Sequence, residues 1–353
     1  MKAHDTSHTG LPRRHLLGLA AAAGLARPAL AAGPLADRPS LEAARAEGPL
    51  VVMHGDQEND IVAFLRAFTE KTGIEAVQQR ALPGVGMPKL QAELRAGASN
   101  VDTWMISDAG LMDVLRERRQ LLRYESPELA AYAPEFRSTE PGWWTGYFIN
   151  VGPMMYDTRY VQANAAPKSW TDLLDAQWKG QVGFQNSAAG TQYTWWYVLR
   201  NVLPAEFWTR LAAQQPRAYA SSTQILTDMQ NGSLKIGGKV SSYQFVKARR
   251  LEQPVNAIYP PEGTPAQAQV IGIIAGTKRP NAAKIYIDYL LSEEGQRVWN
   301  NIQGSPSARA DVHIADVPPL SDFKILMPHD FTEYRSPARH SEFVRLWNHI
   351  TGM

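Results

Sequence analysis

The side chains that could do chemistry gather in a few short stretches. His54, in VVMHGDQEND, follows an apolar run and precedes Asp56, Glu58 and Asp60, and an imidazole beside carboxylates is raw material for a general base or a metal site. Ser107 ends the strand-like VDTWMIS, and Asp108 follows it. In NSAAGTQYTWWYVL, residues 186–199, Asn186, Ser187 and Thr191 surround a glycine ahead of an aromatic run. Such a join can hold an anion, because small residues admit close approach and the free N–H groups of a helix start point at it. Tyr243, in VSSYQF, offers a phenol and is read as ending a strand. Ser222 opens a capped helix, and Glu262, before Gly263-Thr264, is placed to meet an amino group.

Each cluster also has a plain reading. The histidines outside the N-terminal leader, His54, His313, His329, His340 and His349, show no HExxH or HxH spacing, and there is no cysteine, so no metal site is expected. GxSxG, Walker and GxGxxG patterns are missing as well, so no catalytic residue is assigned. The acidic trio behind His54 suits the first turn of a helix, where the macrodipole favours carboxylates on a solvated face. A plain N-cap needs only one hydroxyl. Asn186, Ser187 and Thr191 exceed that need and are expected to touch a ligand. Trp195 and Trp196 are expected in the core, with Trp195, Val198 and Val202 on one helical face.

These stretches sit on a repeating grammar. PLVVM, a helix through Ile61, Phe64, Leu65 and Phe68 closed near Gly73, the strand IEAVQQRAL, the loop PGVG before a helix MPKLQAELRAG, and the strand VDTWMIS describe crossover-connected, mostly parallel strands. Ligands of such sheets bind where strands end and helices begin, and His54 and Ser107-Asp108 fall there. PGWWTGYFINVGPMMYD is two apolar runs broken at Gly152-Pro153, a pattern suited to crossing between lobes. QVGF, then NSAAGT and its helix, the Ser221-Ser222-Thr223 helix and a strand-like KIGGKVSSYQF make a second α/β half.

At the N-terminus, RRHLLGLAAAAGLARPALAA reads as a twin-arginine export signal over residues 1–32, with cleavage near Ala31 or Ala32. Setting aside its Lys2, Arg13, Arg14, Arg27 and Asp5, the 36 basic and 34 acidic residues become 32 and 33, a net charge of about −1. A nucleic-acid role loses its support. With no cysteine for lipid attachment, the expected product is freely soluble in the periplasm.

Residues 277–312, TKRPNAAKIYIDYLLSEEGQRVWNNIQGSPSARADV, carry the sharpest signal. The LLSEEGQ block and the later Gly and Pro before Arg309-Ala310-Asp311-Val312 resemble the ABC-importer solute-binding proteins of the ferric-iron-binding type (extracellular solute-binding protein family 1). VVMHG, VDTWMISD and PKSWTDLLDAQWKGQVGF fit in order, so the resemblance spans nearly all of 49–315. It implies a two-lobed, type II-like periplasmic binding protein of α/β class. Each lobe would be a mixed, mostly parallel sheet flanked by helices, with the ligand in the hinge cleft. Lobe 1 is expected over 49–150 plus 266–320, and lobe 2 over 151–265 plus 321–353.

The resemblance also implies a partner permease in the inner membrane, no cofactor, and a monomer that closes over a small-molecule ligand. Iron binders of the family use a first-loop histidine, a glutamate and adjacent tyrosines. Here those positions resemble Gln57, the Ser107-Asp108 region and Ser242-Tyr243, too few anionic oxygens for ferric iron. Relatives with such degraded sets take phosphorylated or carboxylated organic molecules, so the expected ligand is a small organic anion. It would be held by His54, Ser107, Asp108, Asn186, Ser187, Thr191, Ser222, Tyr243 and Glu262. The alternatives are ferric transport, a periplasmic enzyme using His54 with Asp56 or Asp108, and a ligand sensor.

Overall fold

The computed structural model describes residues 38–353 apart from Ala189, His329 and Asp330, so the export-signal reading and His329 lie outside the described residues. After α1 (Leu41–Ala46) the chain runs β1 (Leu50–His54), α2 (Glu58–Thr72), β2 (Ala76–Arg80), α3 (Pro83–Arg95), β3 (Thr103–Ile106), α4 (Ala109–Glu117), β4 (Leu121–Leu122) and β5 (Thr145–Val151). It then crosses at Gly152-Pro153 into β6 (Met154–Asp157), β7 (Val182–Gln185), α5 (Gly190–Leu199), α6 (Glu206–Ala213), β8 (Arg217–Tyr219), α7 (Ser222–Gln230), β9 (Ile236–Gly237), α8 (Ser242–Arg250) and β10 (Val255–Ile258). It returns through β11 (Thr264–Ile274), α9 (Pro280–Leu291), α10 (Glu293–Gln303), β12 (Ile325–Leu326), α11 (Phe331–Tyr334) and α12 (Pro337–Thr351).

Two mixed sheets flanked by helices result, the two-lobed α/β architecture. The first has seven strands, with β1 parallel to β2 and β3, and β11 antiparallel to β3, β4 and β5. The second has five, with β7 parallel to β8 and β9, and β6 antiparallel to β9 and β10. The crossings are tied to each other, since Gly152 N–H donates to Pro265 O at 2.8 Å. β12 extends the first sheet, while α12 buries Phe343, Trp347 and Ile350 in the core of the second.

Sequence explains the packing locally. α2 buries Ile61, Phe64, Leu65 and Phe68 and ends at Gly73 in the left-handed region (φ 70°). Phe64 and Phe68 meet Tyr286 and Tyr289 of α9, with ring centroids 5.1–6.1 Å apart, and Phe64 meets Trp299 of α10 edge-on at 5.4 Å. The SEEGQ block marks the α9–α10 junction. Ser292 caps α10 by accepting from Gly295 N–H (3.0 Å), and a Cβ at Gly295 would stand 1.8 Å from Tyr289 O. Only glycine lets the helices meet this closely.

Three expectations need correction. KIGGKVSSYQF is not one strand, because only Ile236–Gly237 is extended and Tyr243 lies in the first turn of α8. Gly238 has no room for a side chain, with a Cβ falling 2.4 Å from Phe184, and the chain turns there into the helix. PGVG is the first turn of α3, where Pro83 is already set for a helix start. Val202 lies beyond α5 and is 39% exposed, whereas Trp195 and Trp196 are buried as expected.

Candidate functional site

Strand-to-helix junctions of both sheets converge on one cavity of about 150 Å³. The β1–α2 junction brings Asp56 and Gln57, and the β3–α4 junction brings Ser107. The start of α5 brings Thr191, and the first turn of α8 brings Tyr243. Asn150 near the end of β5, Gln269 on β11 and Gln303 at the end of α10 complete the polar lining. This is the geometry that crossover-connected sheets offer to ligands.

Two buried ionisable groups stand out, Asp56 in the cavity lining and Lys239 in a neighbouring void of about 10 Å³ that shares Asn150 and Thr191 with the cavity. Lys239, 3% exposed, sits between β9 and α8 and sends its ammonium to Thr191 Oγ1 at 2.8 Å and Gln185 Oε1 at 3.1 Å. Both acceptors are neutral, and among the described residues no carboxylate pairs with it. Burial pulls its pKa down to about 7. Its aliphatic stem lies along the crossing, so a Cβ at Gly152 would come within 3.0 Å of it. Asp56, 9% exposed, accepts from Tyr147 Oη at 2.7 Å through Oδ2. Burial, and secondarily Asp60, push its pKa up to about 7 against the opposing effects of the Tyr147 hydrogen bond, Arg80 and Lys247. The reading of Asp56 as part of a solvated acidic turn is therefore corrected, since Glu58 is exposed and Asp56 is enclosed.

Hydrogen bonds knit the two sides of the cavity together. Gln267 on β11 donates to Ser107 O and accepts from Thr194 of α5 at 3.2 Å. Lys247 of α8 pairs with Asp60 of α2 at 2.7 Å. Burial raises the Tyr243 phenol above its ordinary pKa, so it stays neutral. Among the described residues, Asn150 Oδ1 and Gln303 Oε1 are buried without a partner.

Of the residues expected at a ligand, Ser107, Thr191 and Tyr243 line this cavity and the others do not. His54 is fully buried, its Nε2 2.9 Å from Gln78 Oε1, and burial lowers its pKa. Asp108 caps α4 by accepting from Leu111 N–H (3.2 Å) and borders a separate void of about 20 Å³. Asn186 Oδ1 accepts from Ala188 N–H (3.2 Å), and Ser187 Oγ donates to Asn348 Oδ1 of α12 (2.7 Å). Ser222 is buried in the first turn of α7, which Ser221 caps. Glu262 accepts from Ser169 Oγ at 2.6 Å, bracing a loop rather than facing an amino group in the cavity. Sequence reasoning passed over Lys239, Asn150, Gln269 and Gln303. The signal for Lys239 was a lone charge in the small and apolar run IGGKV.

Residues 102–327 match the bacterial extracellular solute-binding protein family. An Fe(3+)-binding periplasmic protein of Serratia marcescens is 21% identical over 267 residues, 73% of this chain and 78% of that one. Iron-bound HitA from Pseudomonas aeruginosa shares the fold at a TM-score of 0.70 and 18% identity, covering 86% of this chain and 99% of that one. AfuA from Actinobacillus pleuropneumoniae with fructose-6-phosphate bound gives a TM-score of 0.72 at 18% identity, covering 87% and 99%.

Proposed function

Since the chain belongs to the bacterial extracellular solute-binding protein family, we propose that it is the periplasmic capture component of an ABC importer whose ligand is a small organic anion. It binds the ligand between its lobes and hands it to a membrane permease without turnover. The observation that carries this reading is Lys239, a buried ammonium beside the cavity with only neutral acceptors. An unanswered buried charge is costly, and a phosphate or carboxylate lodged against Lys239 and Thr191 answers it. A ligand that contacts both lobes favours the closed arrangement by its differential affinity for it.

The donor chemistry weighs against ferric iron as cargo. The cavity offers one carboxylate, Asp56, and one phenol whose pKa is raised, whereas ferric iron favours several anionic oxygens. Thermal unfolding in the presence of sugar phosphates, organic phosphates, carboxylates and ferric citrate tests the reading. An organic anion at 100 times its Kd stabilises the protein by about 2.7 kcal/mol. Lys239→Met is expected to abolish that shift. A shift with ferric citrate alone, with a charge-transfer colour and undiminished in Lys239→Met, would overturn it.

A further inference from the structure

The part of the cavity lined by the β1–α2 junction deepens that reading, on which this inference rests. Asp56 Oδ2 is taken by Tyr147, and among the described residues nothing donates to Oδ1. Asn150 and Gln303 border the same cavity, and among the described residues their Oδ1 and Oε1 lack donors too. An amide turned over would present its nitrogen instead, so the weight falls on Asp56, which only accepts once a cationic ligand has drawn it into the ionised form. In the void beside the cavity, then, a buried ammonium lacks an anion, and in the cavity a buried carboxyl keeps one oxygen without a donor. We propose that the ligand is bipolar, with its phosphate or carboxylate on Lys239 and Thr191 and a primary ammonium group on Asp56.

An ammonium brings three N–H donors, so it can serve Asp56 and a neighbouring amide oxygen together, while a hydroxyl brings one. The selectivity is also negative. A ligand with a methyl group at that end would leave Asp56 desolvated and unpaired, and the site rejects it. Asp60, Arg80, Lys247, Tyr147 and Tyr243 face Asp56 from the surrounding elements; Arg80 Nε donates to the Asp56 backbone carbonyl at 3.3 Å rather than to its carboxyl, and Asp60 is already paired with Lys247. Asp56 is thus the carboxylate left for a ligand.

Titration calorimetry on the full chain decides it with two matched series. One is 4-aminobutanoate, 4-hydroxybutanoate and pentanoate, and the other is 2-aminoethyl phosphate, 2-hydroxyethyl phosphate and propyl phosphate. The ammonium member of at least one series is expected to bind about 30-fold more tightly than its methyl counterpart, the worth of a charged hydrogen bond of about 2 kcal/mol. Asp56→Asn is expected to reduce that ratio to within about threefold while anion binding stays dependent on Lys239. Methyl or hydroxyl members binding as tightly as the ammonium member, or no binding of either ammonium compound at millimolar concentration, overturns the bipolar assignment. The wild-type ratio is decisive even if a variant fails to fold. Anion binding that depends on Lys239 without ammonium preference sinks this inference alone. Binding of all members indifferent to Lys239→Met sinks the organic-anion reading as well.

Discussion

Just before β3, Asp102 is 1% exposed and fully answered, accepting from Val51 N–H at 2.7 Å, Thr277 Oγ1 at 2.6 Å and Arg279 Nη1 at 3.1 Å. At the end of β6, Asp157 is as deeply buried and takes Arg159 in a two-pronged grip at 3.0 and 2.6 Å. Around the cavity, among the described residues, no oppositely charged side chain pairs with Lys239 or with the Asp56 carboxyl. At the sheet margins, partners fixed in the fold offset the desolvation of each charge, so those ions serve structure. Around the cavity, among the described residues, no opposite charge offsets it, and on the proposed reading the ligand does. On that reading a buried charge points to function where the fold leaves it uncompensated beside a cavity.

The largest effects should separate the two regions by sign. Arg279→Ala strands Asp102 and is expected to lower unfolding stability by about 3–5 kcal/mol. Lys239→Met removes an uncompensated ammonium and is expected to raise ligand-free stability by about 1–4 kcal/mol while destroying ligand binding. Urea unfolding reads both. A loss of stability in Lys239→Met would mean that its bonds to Thr191 and Gln185 are structural cement, and the contrast would fail.

pH should sharpen the same contrast. Asp56 is raised from 3.8 to about 7, so between those values the folded state holds a proton that the unfolded chain has released. Its contribution is full below pH 3.8 and is lost as pH rises through 7. Lys239 is lowered from 10.5 to about 7, so its destabilising effect is complete below pH 7 and fades as pH climbs toward 10.5. Ligand-free stability should therefore pass through a trough near pH 7, with each flank no steeper than about 1.4 kcal/mol per pH unit. Asp56→Asn flattens the acid flank and Lys239→Met the alkaline one. Unfolding midpoints measured from pH 5 to 9 check this, and a wild-type profile without a trough counts against both groups.

The sequence was most legible where a residue's local pattern and its tertiary role coincide. β1, the helix through Phe64 and Phe68, the crossing at Gly152-Pro153 and the α9–α10 junction all follow from periodicity, glycine and capping. The cavity was legible as a location, strand ends meeting helix starts, but only partly as a set of side chains. His54 sits at the expected strand end, and one pairing with Gln78 across to β2 keeps it from the cavity. Asp56, two residues on, looked like a solvated helix start and is enclosed by Tyr147 from a strand 91 residues away. Lys239 depends on the approach of α5 and of the crossing to be buried at all. Contacts of that range leave no periodic trace.

The smallest effects divide the stretch NSAAGT itself. Ser187 and Thr191 look equivalent in sequence as hydroxyls flanking a helix start, but one holds α12 and the other holds Lys239. Ser187→Ala removes a hydrogen bond to Asn348 and should cost about 0.5–1.5 kcal/mol of stability with affinity unchanged. Thr191→Ala removes an acceptor from an ammonium that has only one other. It should weaken anion binding by about tenfold, because the Lys239 side chain is no longer held toward the cavity, while changing stability by less than Ser187→Ala does. Calorimetry alongside urea unfolding measures the two axes on the same samples. Equal affinity losses in both variants would restore the whole helix start as an anion cradle and take the special role away from Lys239.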